Sequence, residues 1–359
     1  MKKVLNITIA IAILALMAWG YASAAHHSEH SSSKELDPKE IIFSHLGDAY
    51  GWEVPFSHTA RIPLPIIVIG EDGLNVFMSS KIANGEAYNG YKIATEGDYK
   101  DKVVQVVGGQ EIRPWDFSIT KNAAGIMIAA LIVIMLAMSV RNWYKNNGMK
   151  APRGGTALLE LVVEFVYTDT IRPIMGKDAP KYGPYLLTAF FFILTMNLLG
   201  LIVIFPGGAN LTGNLAVTMV MALCTFAITN FTGTKHYWKE ILWPDVPMAL
   251  KCPVPMMPLI EFLGIFTKPL ALMVRLFANM LGGHMVVIVL ILLTFIFTNM
   301  YGAGVGAATS VVSVSLALFM LLLDTLISFI QAYVFTLLST IFISMAHVHE
   351  EEAELKENN

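Results

Sequence analysis

The chain has 359 residues, of which 55% are hydrophobic and 14% are charged, and its formal net charge is -3. This composition is typical of an integral membrane protein, and the slightly acidic balance excludes a nucleic-acid partner, which requires a basic surface. The two cysteines, Cys224 and Cys252, are too few for a disulfide framework or a cysteine zinc site.

The N-terminus has the three parts of a secretory signal peptide. Lys2 and Lys3 are basic, Val4 to Gly20 is apolar, and Ala22-Ser23-Ala24 fits the small-residue cleavage pattern. An uncleaved first transmembrane helix is the alternative. We predict that residues 1–24 are removed, which leaves the mature N-terminus on the periplasmic side of a bacterial inner membrane.

Residues 25–118 predict a small β-containing periplasmic domain. Ile62 to Ile69 and Leu74 to Met78 flank an Asp-Gly turn, which is typical of a β-hairpin. Val103 to Val107 is another candidate strand, and Asp37 to Tyr50 is a candidate short helix.

The start of this region contains His26, His27 and His30, followed by serines. Histidine is the commonest metal ligand, so a metal site is one interpretation of this leader. A solvated linker is the other, and we favour it. We therefore predict no metal and no cofactor.

Five apolar segments follow, each long enough to cross about 30 Å of hydrocarbon at about 1.5 Å per residue. They are Ala123–Val140, Pro184–Phe205, Leu211–Phe231, Pro258–Met300 and Thr309–Ala346. As continuous helices, the last two would be roughly twice as long as the hydrocarbon is thick. We expect them to be either broken or strongly tilted, with a bend at Pro269, and we predict an all-α membrane domain over residues 119–349.

The loops set the orientation. Lysines and arginines cluster after the first and third spans: Arg141, Lys145, Lys150, Arg153, Arg172, Lys177 and Lys181, then Lys235, Lys239 and Lys251. The positive-inside rule places these loops in the cytoplasm, together with the tail at residues 350–359. Gly155 to Met175 is apolar on one face, which predicts an interfacial amphipathic helix.

Ionisable residues inside the spans are few, and all lie on the last two: Glu261, Lys268, Arg275, His284 and Asp324. Arg275 cannot lose its proton, and a charge at the bilayer centre costs roughly 2.5–3.5 kcal/mol on insertion scales. A charged residue inside a span is a functional-site hypothesis by default. For Glu261 and Lys268, snorkelling to cytoplasmic water is the alternative interpretation.

Spacing divides these residues into groups. Glu261, Lys268 and Arg275 are seven apart, so they share a stripe that Asn279 extends. His284 lies about half a turn around the helix from Arg275 and roughly 13 Å farther outward. On the last helix, Asp324 and Gln331 are also seven apart.

Because the two helices run antiparallel, Arg275 and Gln331 predict an inner polar layer. His284 and Asp324 predict an outer one, and this pair can pass protons because histidine titrates near neutral pH. A purely structural buried pair is the alternative. Asn197, Asn214 and Gln331 could equally serve as hydrogen-bonding contacts between helices.

No phosphate-binding loop, nucleophile elbow or metalloprotease helix is present in the sequence, so we expect no catalysis by the chain alone. Two runs near the C-terminus, Glu261 to Met280 and Gln331 to Ala346, resemble subunit a of F-type ATP synthases. Weaker similarity lies at Ala157 to Val166 and Met196 to Leu201, and the resemblance extends over about Asp37 to His347.

The resemblance implies a stator with two offset aqueous half-channels beside a rotating ring of c subunits, held by b-type peripheral stalk subunits. Arg275 matches the arginine that faces the ring carboxylate, and Glu261, Asn279 and Gln331 lie in the matching runs. His284 and Asp324 match the outer half-channel pair, with histidine and acid exchanged relative to some members. Where many members have an acidic residue, this chain has Gly200, which leaves the contribution of the second span open.

Two other function classes compete with this interpretation. A secondary transporter with its substrate at Arg275 would favour internal repeats, and the sequence shows none. A membrane scaffold would not need Arg275 or the outer polar pair. The sequence leaves open whether the ion is H⁺ or Na⁺, because the ring subunit carries most of that choice.

Overall fold

The computed structural model of the chain describes residues 47–53, 61–71, 73–82, 87–95, 97, 99–107, 110–148, 150–202, 208–242 and 256–347. Four predictions fall wholly or mostly outside these residues. They are the signal peptide, the histidine leader, the short helix from Asp37 to Tyr50 and the C-terminal tail.

Short strands precede the helices. They are β1 (Gly51–Glu53), β2 (Arg61–Pro63), β3 (Pro65–Gly70), β4 (Gly73–Met78), β5 (Tyr91–Ile93), β6 (Val103–Val107), β7 (Gln110–Ile112) and β8 (Trp115–Asp116), with a 3₁₀ turn at Ser79–Lys81. They form antiparallel sheets in the orders β1-β2, β4-β3-β8 and β5-β6-β7. The predicted hairpin is β3 with β4. Ile62 belongs to β2 instead, because Pro63 and Pro65, which have no N–H donor, separate the two strands.

One side of these sheets encloses a small core. Ile66, Val68 and Phe77 pack there with Tyr91 of β5. Tyr50 donates a hydrogen bond to the carboxylate of Asp116. Burial, together with this carboxylate, raises the pKa of Tyr50 well above its ordinary value, so the hydroxyl stays protonated and keeps the bond.

The rest of the described chain is helical. The helices are α1 (Lys121–Asn147), α2 (Gly155–Val166), α3 (Arg172–Met175), α4 (Ala179–Leu201), α5 (Leu215–Thr232), α6 (Lys235–Leu242), α7 (Met256–Tyr301) and α8 (Ala303–Met345). Five described helical stretches are long and apolar enough to cross a membrane, and each overlaps one of the five predicted spans, although the second begins at Gly155 and so includes the predicted amphipathic segment. The chain is therefore a multi-pass, mostly α-helical membrane protein.

The predicted amphipathic segment, Gly155 to Met175, is helical throughout but not uniform. A π-helical turn at Tyr167–Ile171 separates α2 from α3. Pro173 lies two residues after the end of this turn and has no N–H to give to a regular helical ladder, which accounts for the widened turn. A 3₁₀ turn at Gly176–Asp178 then leads into α4.

The last two helices are continuous over 46 and 43 residues. At 1.5 Å per residue they are about 69 Å and 65 Å long, so they are long as predicted, and the alternative of broken helices is wrong. α7 continues through Pro269 without interruption. Gly302 joins the two helices with a φ of +86°, a left-handed conformation that favours glycine.

The helices pack around α4, which contacts α1 on one side and α8 on another, while α7 packs on α8 and α5. Leu186 and Phe190 of α4 are fully buried in this core together with Leu272, Leu276 and Phe335. This packing leaves a narrow space between α4, α7 and α8, and several of the polar side chains predicted from the sequence line it.

Candidate functional site

A small polar cavity lies between α4, α7 and α8. We call it the outer cavity, and it is lined by Asn197, Leu201, Leu276, Asn279, Met280, Gly283, His284, Asp324, Ile327, Ser328 and Gln331. The space in which the centre of a water molecule fits is about 10 Å³. A single water needs ~10–15 Å³, so the cavity suits about one water molecule.

The polar side chains of α8 in this cavity are buried. Asp324 is 9% exposed, Ser328 4% and Gln331 7%. The seven-residue spacing from Asp324 to Gln331 thus places both on one face, as predicted. Within the described part of the chain, the amide nitrogen of Gln331 has no hydrogen-bond partner, and no hydrogen bond of the Asp324 carboxylate is seen. Buried polar atoms of this kind cost free energy unless a hydrogen-bond partner such as water reaches them.

A glycine of α7 lets the carboxylate of Asp324 approach the backbone. A Cβ atom at Gly283 would lie 2.8 Å from Oδ2 and 2.9 Å from Oδ1 of Asp324. His284, the next residue, lines the same cavity. The structure therefore brings together the predicted pair of His284 and Asp324 on facing helices.

The second span contributes to the cavity without an acidic residue. A Cβ at Gly200 would lie 2.0 Å from Cε of Met280, which would have to shift, and 3.5 Å from Nε2 of His284, an ordinary contact distance. α4 instead lines the cavity through Asn197. The glycine found where an acid was expected gives room to the side chains of α7.

Asn197 is held by a residue that sequence reasoning missed. Thr212, which is fully buried, donates from Oγ1 to Oδ1 of Asn197 at 2.7 Å. Since the amide oxygen accepts this bond, the amide nitrogen is left as the donor to other partners. No pattern in the sequence pointed to Thr212, because its partner depends on how residues 208–214 return against α4.

Asn214 has a different role from the predicted contact between helices. It is the N-cap of α5, and its side chain accepts a hydrogen bond from the backbone N–H of Ala216 at 3.0 Å. The interhelical interpretation of Asn214 is therefore wrong. A side-chain oxygen at this position satisfies one of the unpaired N–H groups that every helix start leaves.

Arg275 lies away from the outer cavity. It is exposed on α7, as are Val274 and Leu270 at 51% and 52%, whereas Leu272 and Leu276 of the same helix are buried. Among the described residues, no hydrogen bond or ion pair of Arg275 is seen. The described residues show no hydrogen bond between Arg275 and Gln331, the predicted inner layer, and Gln331 and Asn279 line the cavity of His284 and Asp324.

The other two charges of the predicted stripe face α5 and α6. Lys268 lines a second cavity, the inner cavity, with Thr225, Thr229, Asn230, Tyr237 and Phe342 among its neighbours. Burial raises the pKa of Tyr237, and the nearby negative charge of Glu261 raises it further. Lys268 thus lines the inner cavity, whereas Arg275, seven residues farther along the helix, does not.

The fold and the site define a multi-pass α-helical membrane protein whose buried polar groups gather between its two longest helices. The chain belongs to the ATP synthase A chain family, whose model matches residues 124–344. It is 39% identical to ATP synthase subunit a of Chloroherpeton thalassium over 68% of this chain and 71% of that protein. It is 41% identical to ATP synthase subunit a of Myxococcus xanthus over 66% of this chain and 76% of that protein.

The resemblance to subunit a of F-type ATP synthases is therefore confirmed. The chain is a non-catalytic subunit of the membrane sector, where it takes part in ATP synthesis and ion transport in complex with other FO subunits. A second family model, a domain of unknown function (DUF8433), matches residues 41–117. This match covers the strands that precede α1.

The bond between Thr212 and Asn197 generates a prediction. We expect Thr212→Val to lower ATP synthesis by respiring membrane vesicles several-fold, because a buried amide oxygen left without its donor costs about 1–3 kcal/mol and the amide can turn away from the cavity. Thr218→Val is the matched control, since Thr218 is equally buried but bonds only to carbonyls within three or four residues of its own position. Equal rates for the two variants, with equal amounts of assembled complex, would contradict the role given to Thr212.

Proposed function

We propose that this chain is a stator that carries protons to and from a rotating ring of c subunits through two half-channels. In this proposal the outer cavity belongs to the half-channel open to the periplasm, and the inner cavity to the one open to the cytoplasm. The main support for this proposal is the arrangement of polar side chains around α7. Four polar side chains named from the sequence, Asn279, His284, Asp324 and Gln331, share one water-sized cavity, whereas Arg275 lies exposed outside it.

The outer cavity has the chemistry that a proton relay needs. A proton moves between groups that can each hold and release it, and His284 and Asp324 are two such groups on facing helices. Asn279, Ser328 and Gln331 supply hydrogen-bonding atoms around them, and the cavity has room for about one water. Protons could thus pass in short steps through a channel too narrow for bulk water.

Arg275 supplies the fixed charge that the ring must meet. Inserting a charged side chain near the bilayer centre, where it faces hydrocarbon, costs a free energy of roughly 2.5–3.5 kcal/mol on insertion scales. A carboxylate on a neighbouring chain would offset this cost, and the guanidinium would in turn favour the ionised form of that carboxylate. A permanent cation at this position also repels protons, so it separates the two half-channels.

The inner cavity offers a polar route on the other side of Arg275. The space for water centres is about 20 Å³, enough for one or two waters. The hydroxyl of Tyr185 lies 3.0 Å from Oγ1 of Thr225, and Thr225 lies 3.2 Å from Oγ of Ser339. These uncharged groups gave no signal in the sequence, because α5 was interpreted simply as an apolar span. Lys268 and Glu261 lie at the end nearest α6, where snorkelling to water is compatible with the geometry.

The orientation and partners of the chain complete the proposal. Positive loops place the ends of α5 and α6 in the cytoplasm of a bacterial inner membrane, with residues 25–118 in the periplasm. Residues 1–24 would be the signal peptide, residues 119–349 the membrane domain and residues 350–359 the cytoplasmic tail. The long α7–α8 hairpin would lie strongly tilted along the c-ring, and b-type stalk subunits would hold the stator.

A substrate transporter is the weaker alternative. Ligand pockets for small molecules usually have volumes of about 300–1,000 Å³. The outer cavity has only about 10 Å³ for water centres, and Arg275 does not line it. The geometry therefore favours ion passage over binding of an organic substrate at Arg275.

Removing the fixed charge tests the proposal. We expect Arg275→Ala to abolish ATP-driven proton pumping in inverted membrane vesicles, because no other cation would meet the ring carboxylate. Val274→Ala, the neighbouring exposed position, is the control for lost volume and should pump nearly normally. Normal coupled pumping by Arg275→Ala, with the complex assembled, would overturn the proposed function.

Exchanging the two titratable groups of the outer cavity tests their partnership. We expect His284→Asp alone to slow pumping strongly, because two carboxylates in one cavity repel each other and only one ionises easily. Adding Asp324→His should restore part of the rate, since the cavity would again contain one histidine and one acid. A double variant as slow as His284→Asp, in an intact complex, would show that the two residues do not act as a pair.

A further inference from the structure

The sheet β4-β3-β8 has an apolar side that nothing in the described chain covers. We call it the apolar sheet face, and it consists of Ile67, Ile69, Leu74, Val76, Met78, Trp115 and Phe117. Register explains the grouping. Ile69 pairs with both Leu74 and Trp115, and Ile67 pairs with Val76 and accepts the backbone N–H bond of Phe117 at 2.9 Å. Cross-strand partners point to the same side of a sheet.

The exposure of this face is unusual for a sheet whose other side is already a core. Trp115 is 75% exposed, Leu74 65%, Val76 63% and Phe117 60%. On the opposite side, Val68 is fully buried. An antiparallel sheet with one packed side normally shows polar residues on the other, and a contiguous apolar patch marks an interaction surface.

Hydrogen bonds join the start of the first span to β3 of this sheet and to the residues just before β1. The backbone N–H of Lys121, the first residue of α1, bonds to the carbonyl of Ala49 at 2.8 Å. The backbone N–H of Asn122 bonds to the carboxylate of Asp48 at 3.1 Å, and that of Ile119 to the carbonyl of Pro65 at 3.1 Å. The bond from Ile119 to Pro65 of β3 therefore ties the sheet to the residues just before the first turn of α1.

The length of α1 sets the depth of that turn. α1 has 27 residues, or about 40 Å, which matches the ~40–45 Å of a bilayer with its headgroups. Its first turn thus lies at the level of the headgroups, and the sheet is fixed there. Residues 115, 117 and 119 alternate along the chain toward α1, so the apolar row leads directly into a helix whose Met127 and Leu131 are 61% and 55% exposed.

We propose that the apolar sheet face lies on the lipid bilayer, at the boundary between headgroups and acyl chains of the leaflet in which α1 begins. Lipid fits better than a protein partner because the apolar row is continuous with the exposed side of a membrane span. Its most exposed member is Trp115, and Phe117 lies closer to α1. Tryptophan is enriched at this depth of membranes. The region matched by the domain of unknown function would then be a membrane-surface anchor for the first span.

Spin labels on the intact ATP synthase complex in phospholipid vesicles test this proposal. Single labels are attached at Val76→Cys and Trp115→Cys, with Gln110→Cys, an exposed polar position of β7, as the matched control. Cys224 and Cys252 are first replaced by serine, and the signal of this background is subtracted. Collision with oxygen, which concentrates in lipid, is compared with collision with a water-soluble nickel chelate.

We expect the ratio of oxygen to nickel accessibility to be several-fold higher at positions 76 and 115 than at position 110. High nickel accessibility at the two face positions would place the face in water and overturn the proposal. Low accessibility to both reagents would also overturn it, because it would show that protein, not lipid, covers the face.

Discussion

The fixed charge of Arg275 constrains the whole membrane domain. The guanidinium is charged at every accessible pH, it lies on the exposed side of α7, and no partner for it is seen among the described residues. Such a charge is tolerated in a membrane only if water or an acid from another chain reaches it. The long α7–α8 hairpin and its packing on α4 and α5 fix the position of Arg275, so that water or an acid from another chain can reach it there.

The proposed function adds a second constraint, because its two half-channels require water to reach the region of Arg275 from each side without crossing it. The outer cavity has room for about one water and the inner cavity for one or two, and each is lined by a different part of α7. A proton that crosses 100 mV releases about 2.3 kcal/mol. This is similar to the roughly 2.5–3.5 kcal/mol cost of one charge at the bilayer centre. A leak past Arg275 would waste that energy, so the helix body between the cavities is as important as the polar groups.

The sequence predicted the five spans because hydrophobicity summed over about twenty residues outweighs local detail. It also identified His284, Asp324 and Gln331, since charged and amide groups stand out in apolar helices. It did not predict that all three would share one cavity with Asn279, because the rotation of one helix against another depends on packing. The roles of Thr212 and Asn214 were equally invisible, as each depends on the path of a loop. The Asp-Gly turn between two apolar runs predicted the β3–β4 hairpin but gave no reason for an apolar outer face.

The central claim is that the missing counter-charge of Arg275 lies on the c-ring. A structure of the assembled complex in lipid measures this most directly, through the distance from the Arg275 guanidinium to the nearest ring carboxylate. We predict that one ring carboxylate lies opposite Arg275, within the ~4 Å of an ion pair or separated by one water. A ring that packs against another part of α7, with Arg275 facing lipid or a different stator subunit, would contradict this account.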